Sequence, residues 1–301
     1  QERTHAYALK SCMCLLDPRP HLPKMVEMVR KGFELSEASN MPVLMELRIR
    51  ACHVRGSFEA RDNQLSPIST RSPLSEAAPF DYGKLAHPPV TFGQEVRKVN
   101  ERLPAAQAFI EAHGLNETFE GSDHRLGILV QGGLYPALIR VLQQFGLADA
   151  HGQSPIPIHV LNVTYPLVPN EIKRFCSQHA HVLVVEEGQP EYIEQDLSLQ
   201  LRRLGVDVAL HGKDVLPRAG EYSAEVLATG LLKLLADIAP DLGDQQGVQA
   251  WLDGNRQRRQ AASQFFAEQT HPLPARPPSF CIGCPERPVF SAIELARQTL
   301  G

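Results

Sequence analysis

The sequence predicts an α/β protein built on a doubly wound parallel sheet over residues 125–237, and three observations predict it. Apolar runs of strand length alternate there with amphipathic segments of helical length. The strand runs are apolar at successive positions, as expected of strands covered on both faces. Gly, Pro and Ser mark the junctions between them.

Taken in order, residues 23–35 carry Met25, Val26, Met28, Val29 and Phe33 at helical spacing. Asn40-Met41-Pro42 ends that helix, and Val43, Leu44, Met45 and Leu47 read as a short strand. One helix and one strand read as the closing unit of an α/β domain. With a first residue Gln1 and a helical pattern still running at Gly301, the expectation is an internal segment of a longer polypeptide. Pro67, Pro73, Pro79, Pro88 and Pro89, interleaved with Ser66, Ser69, Ser72 and Ser75, make residues 64–89 a linker, because Pro cannot donate to a helix or a central strand. Residues 93–113 return to helical spacing, with a kink or break expected at Pro104.

The central domain follows. Residues 125–131 form a strand that runs into Gly132-Gly133 and a helix over 135–145. Residues 156–163 read as one strand. A helix over 169–179 has Pro169 in its first turn, where a missing N–H is not needed. Residues 182–185 form a buried strand, a helix passes through Ile193, Leu197 and Leu201, and residues 206–210 form a fourth strand. Ser223 is suited to cap the helix over 224–235, with Glu225 favourable in its first turn. Residues 244–269 are polar and helical. A second Pro-rich linker, 271–278, precedes Cys281-Ile-Gly-Cys284 and a helix through Val289, Ile293 and Ala296.

Composition narrows the functional classes. A net charge of −4 gives no basic surface for nucleic acid. No apolar run approaches the ~20 residues that cross a bilayer. Six cysteines in 301 residues do not make a disulfide scaffold, which points to a reducing, cytoplasmic setting.

Five constellations bear on potential chemistry. Gly132-Gly133 lies at a strand-to-helix turn, where a phosphate can meet backbone N–H groups. The three spaced glycines of a dinucleotide site are absent, so a plain tight turn is the favoured reading. Glu186-Glu187 lies at the carboxyl end of a central strand, where open sheets bind ligands. Adjacent strand residues point to opposite faces, so the two do not serve as one acid–base pair. A solvated loop is favoured over a helix cap or partner contact. Asp214 and Arg218 are expected to form a local salt bridge. Arg48, Arg50, His53 and Arg55 cluster past a strand end and suit an anion such as a carboxylate or diphosphate, against the alternative of ordinary surface charges. Cys281-x-x-Cys284 has the spacing of a metal or iron–sulfur ligand pair, though two ligands complete no site; a redox disulfide or two structural thiols are the alternatives.

The segment Arg276-Pro-Pro-Ser-Phe-Cys-Ile-Gly-Cys-Pro-Glu-Arg-Pro-Val-Phe resembles the Cys-Pro-Gly-Cys-Pro-His-Arg region of indolepyruvate:ferredoxin oxidoreductase large subunits, with Ile282 and Glu286 as departures. Those enzymes are thiamine-diphosphate-dependent 2-oxoacid:ferredoxin oxidoreductases. Pro42-Val-Leu with Arg50-Ala-Cys-His53, Gly127-Ile-Leu-Val-Gln-Gly-Gly, Thr164-Tyr-Pro-Leu-Val-Pro, Val184-Val-Glu-Glu and Gly212-Lys-Asp-Val-Leu-Pro-Arg-Ala-Gly-Glu fall in the same family's order.

The resemblance implies a division into five parts: residues 1–64 as the end of a pyrimidine-binding domain, 65–124 as linker and helical crossover, 125–237 as a transketolase C-terminal-like domain, 238–275 as a helical linker, and 276–301 as the start of a diphosphate-binding domain. It implies oxidative decarboxylation of aryl pyruvates with CoA, electrons passing to ferredoxin. The full enzyme would use thiamine diphosphate, Mg2+ and [4Fe–4S], in a homo- or hetero-oligomer with a second subunit or domain. Cys281 and Cys284 are the implied iron–sulfur ligands, and Arg50 and His53 the candidate cofactor contacts. No proton-transfer residue is implied, and the segment alone is expected to be inactive. The alternative is a non-catalytic α/β binding or assembly module, since fold does not fix function.

Overall fold

The computed structural model describes residues 2–62, 81–268 and 286–300, so the linker prolines before residue 81 and the Cys281-x-x-Cys284 segment lie outside the described residues. The chain divides into two compact units, 1–252 and 253–301.

The first unit opens with α1 (Glu2–Ser11), β1 (Cys14–Leu16), α2 (Leu22–Ser39), β2 (Val43–Met45) and the one-turn α3 (Ile49–Cys52). Asn40 ends α2 in the left-handed region at φ 52°, which a short amide side chain tolerates. The expected helix over 93–113 is two helices, α4 (Val90–Arg97) and α5 (Leu103–Ala112), separated by one wide turn over Lys98–Arg102. Pro104 sits in the first turn of α5, where it needs no partner for the missing N–H.

Next come β3 (Glu117–Phe119), β4 (Leu126–Gln131), α6 (Tyr135–Gln144), β5 (Ile158–Leu161) and β6 (Val163–Tyr165). The remaining elements are α7 (Pro169–Cys176), β7 (His181–Val185), α8 (Tyr192–Leu204), β8 (Ala209–His211), α9 (Ala224–Ile238) and α10 (Gln245–Ala267), which runs past the end of the first unit. Ser223 caps α9 by accepting a hydrogen bond from the Val226 N–H. In the second unit α11 (Glu286–Leu300) is amphipathic, with Val289 and Ile293 exposed. Among the described residues no helix is long and apolar enough to cross a membrane.

The central sheet has the order β3-β5-β4-β7-β8, parallel except for β3 at one edge. Ile128, Val130, Ile158, Leu183 and Val185 point to one face and pack with α6 and α9 through Leu138, Val141, Leu231 and Leu235. Leu129, Leu161, Val182 and Val184 point to the other and pack with α7 and α8 through Ile172, Phe175, Ile193 and Leu197. Both faces are covered, which is why β4 is buried at every position. This is the doubly wound arrangement.

The expected single strand over 156–163 is two strands in two sheets. β5 belongs to the central sheet, whereas β6 pairs antiparallel with β1 in a three-stranded sheet ordered β2-β1-β6. Asn162, fully buried between them, makes the break. Its side-chain N–H groups donate to the Leu115 carbonyl (2.9 Å) and Glu117 (2.9 Å), and its amide oxygen accepts from the Arg19 N–H (2.8 Å). A side chain held by two backbone groups and a carboxylate takes the chain out of one ladder and into the other. α1, β1 and β3, none of them expected, complete the unit; β1 and β3 are only three residues long, too short for a periodic signal.

Gly132-Gly133 forms one tight turn at the start of α6, as the favoured reading had it. A Cβ at Gly132 would collide with the Asp17 carbonyl oxygen and approach the Arg19 nitrogen to 2.8 Å; one at Gly133 would collide with Arg48 and lie 2.7 Å from Asp17 Oδ1. The glycines are there so that β1 and Arg48 can reach the turn. Gly132→Ala meets backbone that cannot rotate away, and is expected to cost about 3 kcal/mol, seen as a lower midpoint in urea denaturation with an unchanged slope.

Candidate functional site

The carboxyl ends of β1, β4 and β7 converge on one buried polar centre, the position at which open α/β sheets place ligands. β1 delivers Asp17, β4 delivers Gln131 and β7 delivers Glu186 and Glu187; Arg48 enters three residues after β2. Arg48 and Asp17 side chains are each 2% exposed and Glu187 5%. Arg48 Nε donates to both Asp17 oxygens at 3.1 Å, Nη2 donates to Asp17 Oδ2 at 2.7 Å, and Nη1 donates to Glu187 Oε1 at 3.3 Å. Burial alone would lower the Arg48 pKa, but Asp17, Glu46 and Glu187 outweigh it and raise the value. Burial, with Asp17 adding, holds the Glu46 carboxyl above its usual range.

Glu187 also accepts from the Tyr222 N–H at 2.6 Å, and its own N–H donates to Gln131 Oε1 at 2.9 Å. Glu186, 3% exposed, caps α8 by accepting from the Ile193 N–H (3.0 and 3.1 Å) and the Glu194 N–H (3.1 Å). Burial pushes its pKa up to about 7 despite those donors. Lys213 donates from Nζ to the Glu186 carbonyl and to Tyr222 Oη at 2.7 Å, and burial lowers its pKa. What remains open is a cavity of about 10 Å3, lined among others by His5, Glu46, Arg48, Gln131, Glu186 and Glu187. That is room for about one water.

The structure corrects three readings. Glu186 and Glu187 are not a solvated loop: both are buried, because α8 and Tyr222 supply N–H donors that a strand-end carboxylate accepts. Asp214 does not pair with Arg218; its carboxylate is taken by His211 Nδ1 (2.9 Å) and the Gly212 N–H (2.6 Å), which lie nearer in the turn. Arg48 does not belong to an open basic cluster, because Asp17 and Glu187 take its guanidinium. Arg48 points inward, His53 and Arg55 are exposed, and Arg50 lies on α3. Asp17 and Gln131 were not singled out in the sequence, although both share with Glu186 the pattern of a polar residue directly after an apolar strand run.

An anionic cofactor finds no free cation here. The one buried guanidinium is saturated by carboxylates and the cavity admits a single water, so this centre does not fit thiamine diphosphate. Among the described residues no three His, Cys, Asp or Glu side chains are placed to hold a metal. Cys14 and Cys176 are buried, which pushes both thiols up to about 12 and leaves them unreactive.

Comparison with known proteins gives a consistent relative. No protein-family model matches the chain. A curated indolepyruvate oxidoreductase subunit IorA from Methanothermobacter thermautotrophicus is 28% identical over 303 aligned positions, covering 100% of this chain and 43% of the relative. The chain is similar to IorA from end to end. IorA of Thermococcus kodakarensis is 27% identical over 98% of the chain and 42% of its own length, and that of Archaeoglobus fulgidus 28% over 89% and 38%. The chain therefore spans less than half the length of the curated relatives it matches. A solved 2-oxoglutarate:ferredoxin oxidoreductase from Magnetococcus marinus aligns with 73% of the chain and 42% of its own, at 14% identity and a TM-score of 0.43.

Two outcomes follow from the buried centre. Arg48→Met leaves Asp17 and Glu187 buried without their cation and is expected to cost about 3–5 kcal/mol, measured by chemical denaturation. Glu186 gives a pH signature. Its native pKa of about 7 lies above the ordinary 4.5, so between those values the folded state binds more protons than the unfolded state. Relative to Glu186→Gln, wild-type stability should therefore rise as pH falls from about 7 to 4.5 and change no further below that. Denaturation of both proteins across that window checks the sign.

Proposed function

We propose that this chain is part of a thiamine-diphosphate-dependent indolepyruvate:ferredoxin oxidoreductase. The reaction is oxidative decarboxylation of an aryl pyruvate with CoA, two electrons leaving through [4Fe–4S] to ferredoxin. The observation that carries the reading is the similarity to IorA over the whole chain, in several organisms, rather than any one motif.

Within that enzyme residues 125–237 are the transketolase C-terminal-like domain, 1–64 the end of the pyrimidine-binding domain and 276–301 the start of the diphosphate-binding domain, with 65–124 and 238–275 connecting them. The saturated Arg48 centre gives the segment a structural task, holding the small sheet against the strand ends of the large one. α3, immediately after Arg48, carries Arg50 and leads to His53, the two candidate cofactor contacts. Cys281 and Cys284 are the proposed cluster ligands and work with thiolates from elsewhere in the assembly, because each iron needs its own. The protein acts in the cytoplasm with a partner subunit or domain, and the 301-residue segment alone is inactive.

Cys281→Ser, placed in a polypeptide of the relatives' full length that contains this segment, tests the reading. Iron and acid-labile sulfide should fall and indolepyruvate-dependent ferredoxin reduction should disappear, while thiamine diphosphate binding measured by calorimetry is retained. A full-length protein with neither cluster nor activity would favour the non-catalytic assembly module.

A further inference from the structure

A second concavity lies away from the Arg48 centre, between α1, the start of α5, the loop after β6 and the outer side of α8. It is a groove of about 430 Å3, within the range of small-molecule sites. Its walls are apolar and aromatic. His5 lies flat on Tyr192, with ring centroids 5.2 Å apart and planes 3° from parallel, and meets Tyr165 edge-on at 6.3 Å. Leu9 and Leu199 stand at the rim, 42% and 46% exposed.

The polar side chains along it are neutral amides, hydroxyls and the His5 ring, with one exception. Among the residues lining the groove Asp196 is the only charged one, for burial lowers the His5 pKa to about 4 and leaves its ring neutral. Asp196 has one side-chain partner, Gln200, whose Nε2 donates to Oδ2 at 3.1 Å. Gln200 Oε1, on the other side of that amide, is buried and accepts nothing. Burial raises the Asp196 pKa, and the more distant charge of Arg203 does not make up the loss of water. The groove thus pairs an apolar, ring-sized body with a partly desolvated carboxylate, and no cation lines it.

We propose that this groove binds a small arylalkylamine, its ring between Leu9, Leu199 and the His5–Tyr192 stack and its ammonium on Asp196. Charge complementarity decides the class. An ammonium supplies charge-assisted donors that the Asp196 carboxylate, held on its side chain only by Gln200, can accept. An arylalkyl carboxylate would bring a second negative charge beside Asp196 with no cation lining the groove to answer it, and is excluded.

Two ligands with the same phenylethyl body and opposite charge test this on the 301-residue chain, 2-phenylethylamine and 3-phenylpropanoate, each titrated against wild type and Asp196→Asn by calorimetry and by chemical-shift changes of the α8 amides. Asparagine keeps the acceptor for Gln200, so the fold is retained. The amine should bind wild type with shifts on α8, and lose at least about tenfold in affinity (1.4 kcal/mol) in the variant. The acid should bind neither. Equal binding of acid and amine, equal binding of the amine by both proteins, or no saturable binding of the amine by wild type would overturn the proposal.

Discussion

The arrangement of this chain depends on one buried guanidinium. Arg48 lies in the loop after β2 but is satisfied by Asp17 at the end of β1 and by Glu187 beyond the end of β7. The small sheet and the large sheet are therefore joined by charge as well as by β6. A buried ion pair of this kind is not by itself a large source of stability, because desolvating three charges offsets most of their attraction. What it supplies is position. Both carboxylates would be left stranded by any arrangement that withdrew Arg48, so the register between the sheets is specified by the cost of the alternatives.

Other features fall into place around that constraint. Gly132 and Gly133 make room for Asp17 and Arg48 at the turn before α6. Gln131 fixes the Glu187 backbone, Tyr222 closes its second oxygen, and Glu186 turns away to cap α8. The two adjacent glutamates do different work because a strand sends successive side chains to opposite sides. One joins the sheets, the other starts a helix.

A centre so fully satisfied says something about function. Ligand sites at strand ends keep donors or acceptors open for what they bind, and here nearly every one is spent on a neighbour. The groove beside α8 has the opposite character, with a carboxylate that has a single side-chain partner. Under the proposed function the chain is part of a larger catalytic assembly, and the Arg48 centre is consistent with a framework role in it.

The alternation of apolar runs and helical segments by itself determined the doubly wound sheet, because strands buried on both faces must be apolar throughout and helices on both faces must be amphipathic. The Ser223 cap, the turn at Gly132-Gly133 and the break near Pro104 were equally legible, since each rests on local backbone chemistry. The split of 156–163 was not. Asn162 interrupts an otherwise apolar run, and only its three partners from distant segments decide that the chain changes sheets there. The same holds for the polar centre. Arg48 reads as a surface charge and Glu186-Glu187 as a loop until folding brings residues 17, 48, 131, 187 and 222 together. A side chain's charge is written in the sequence, but whether water or a carboxylate 139 residues away answers it is decided only by tertiary structure.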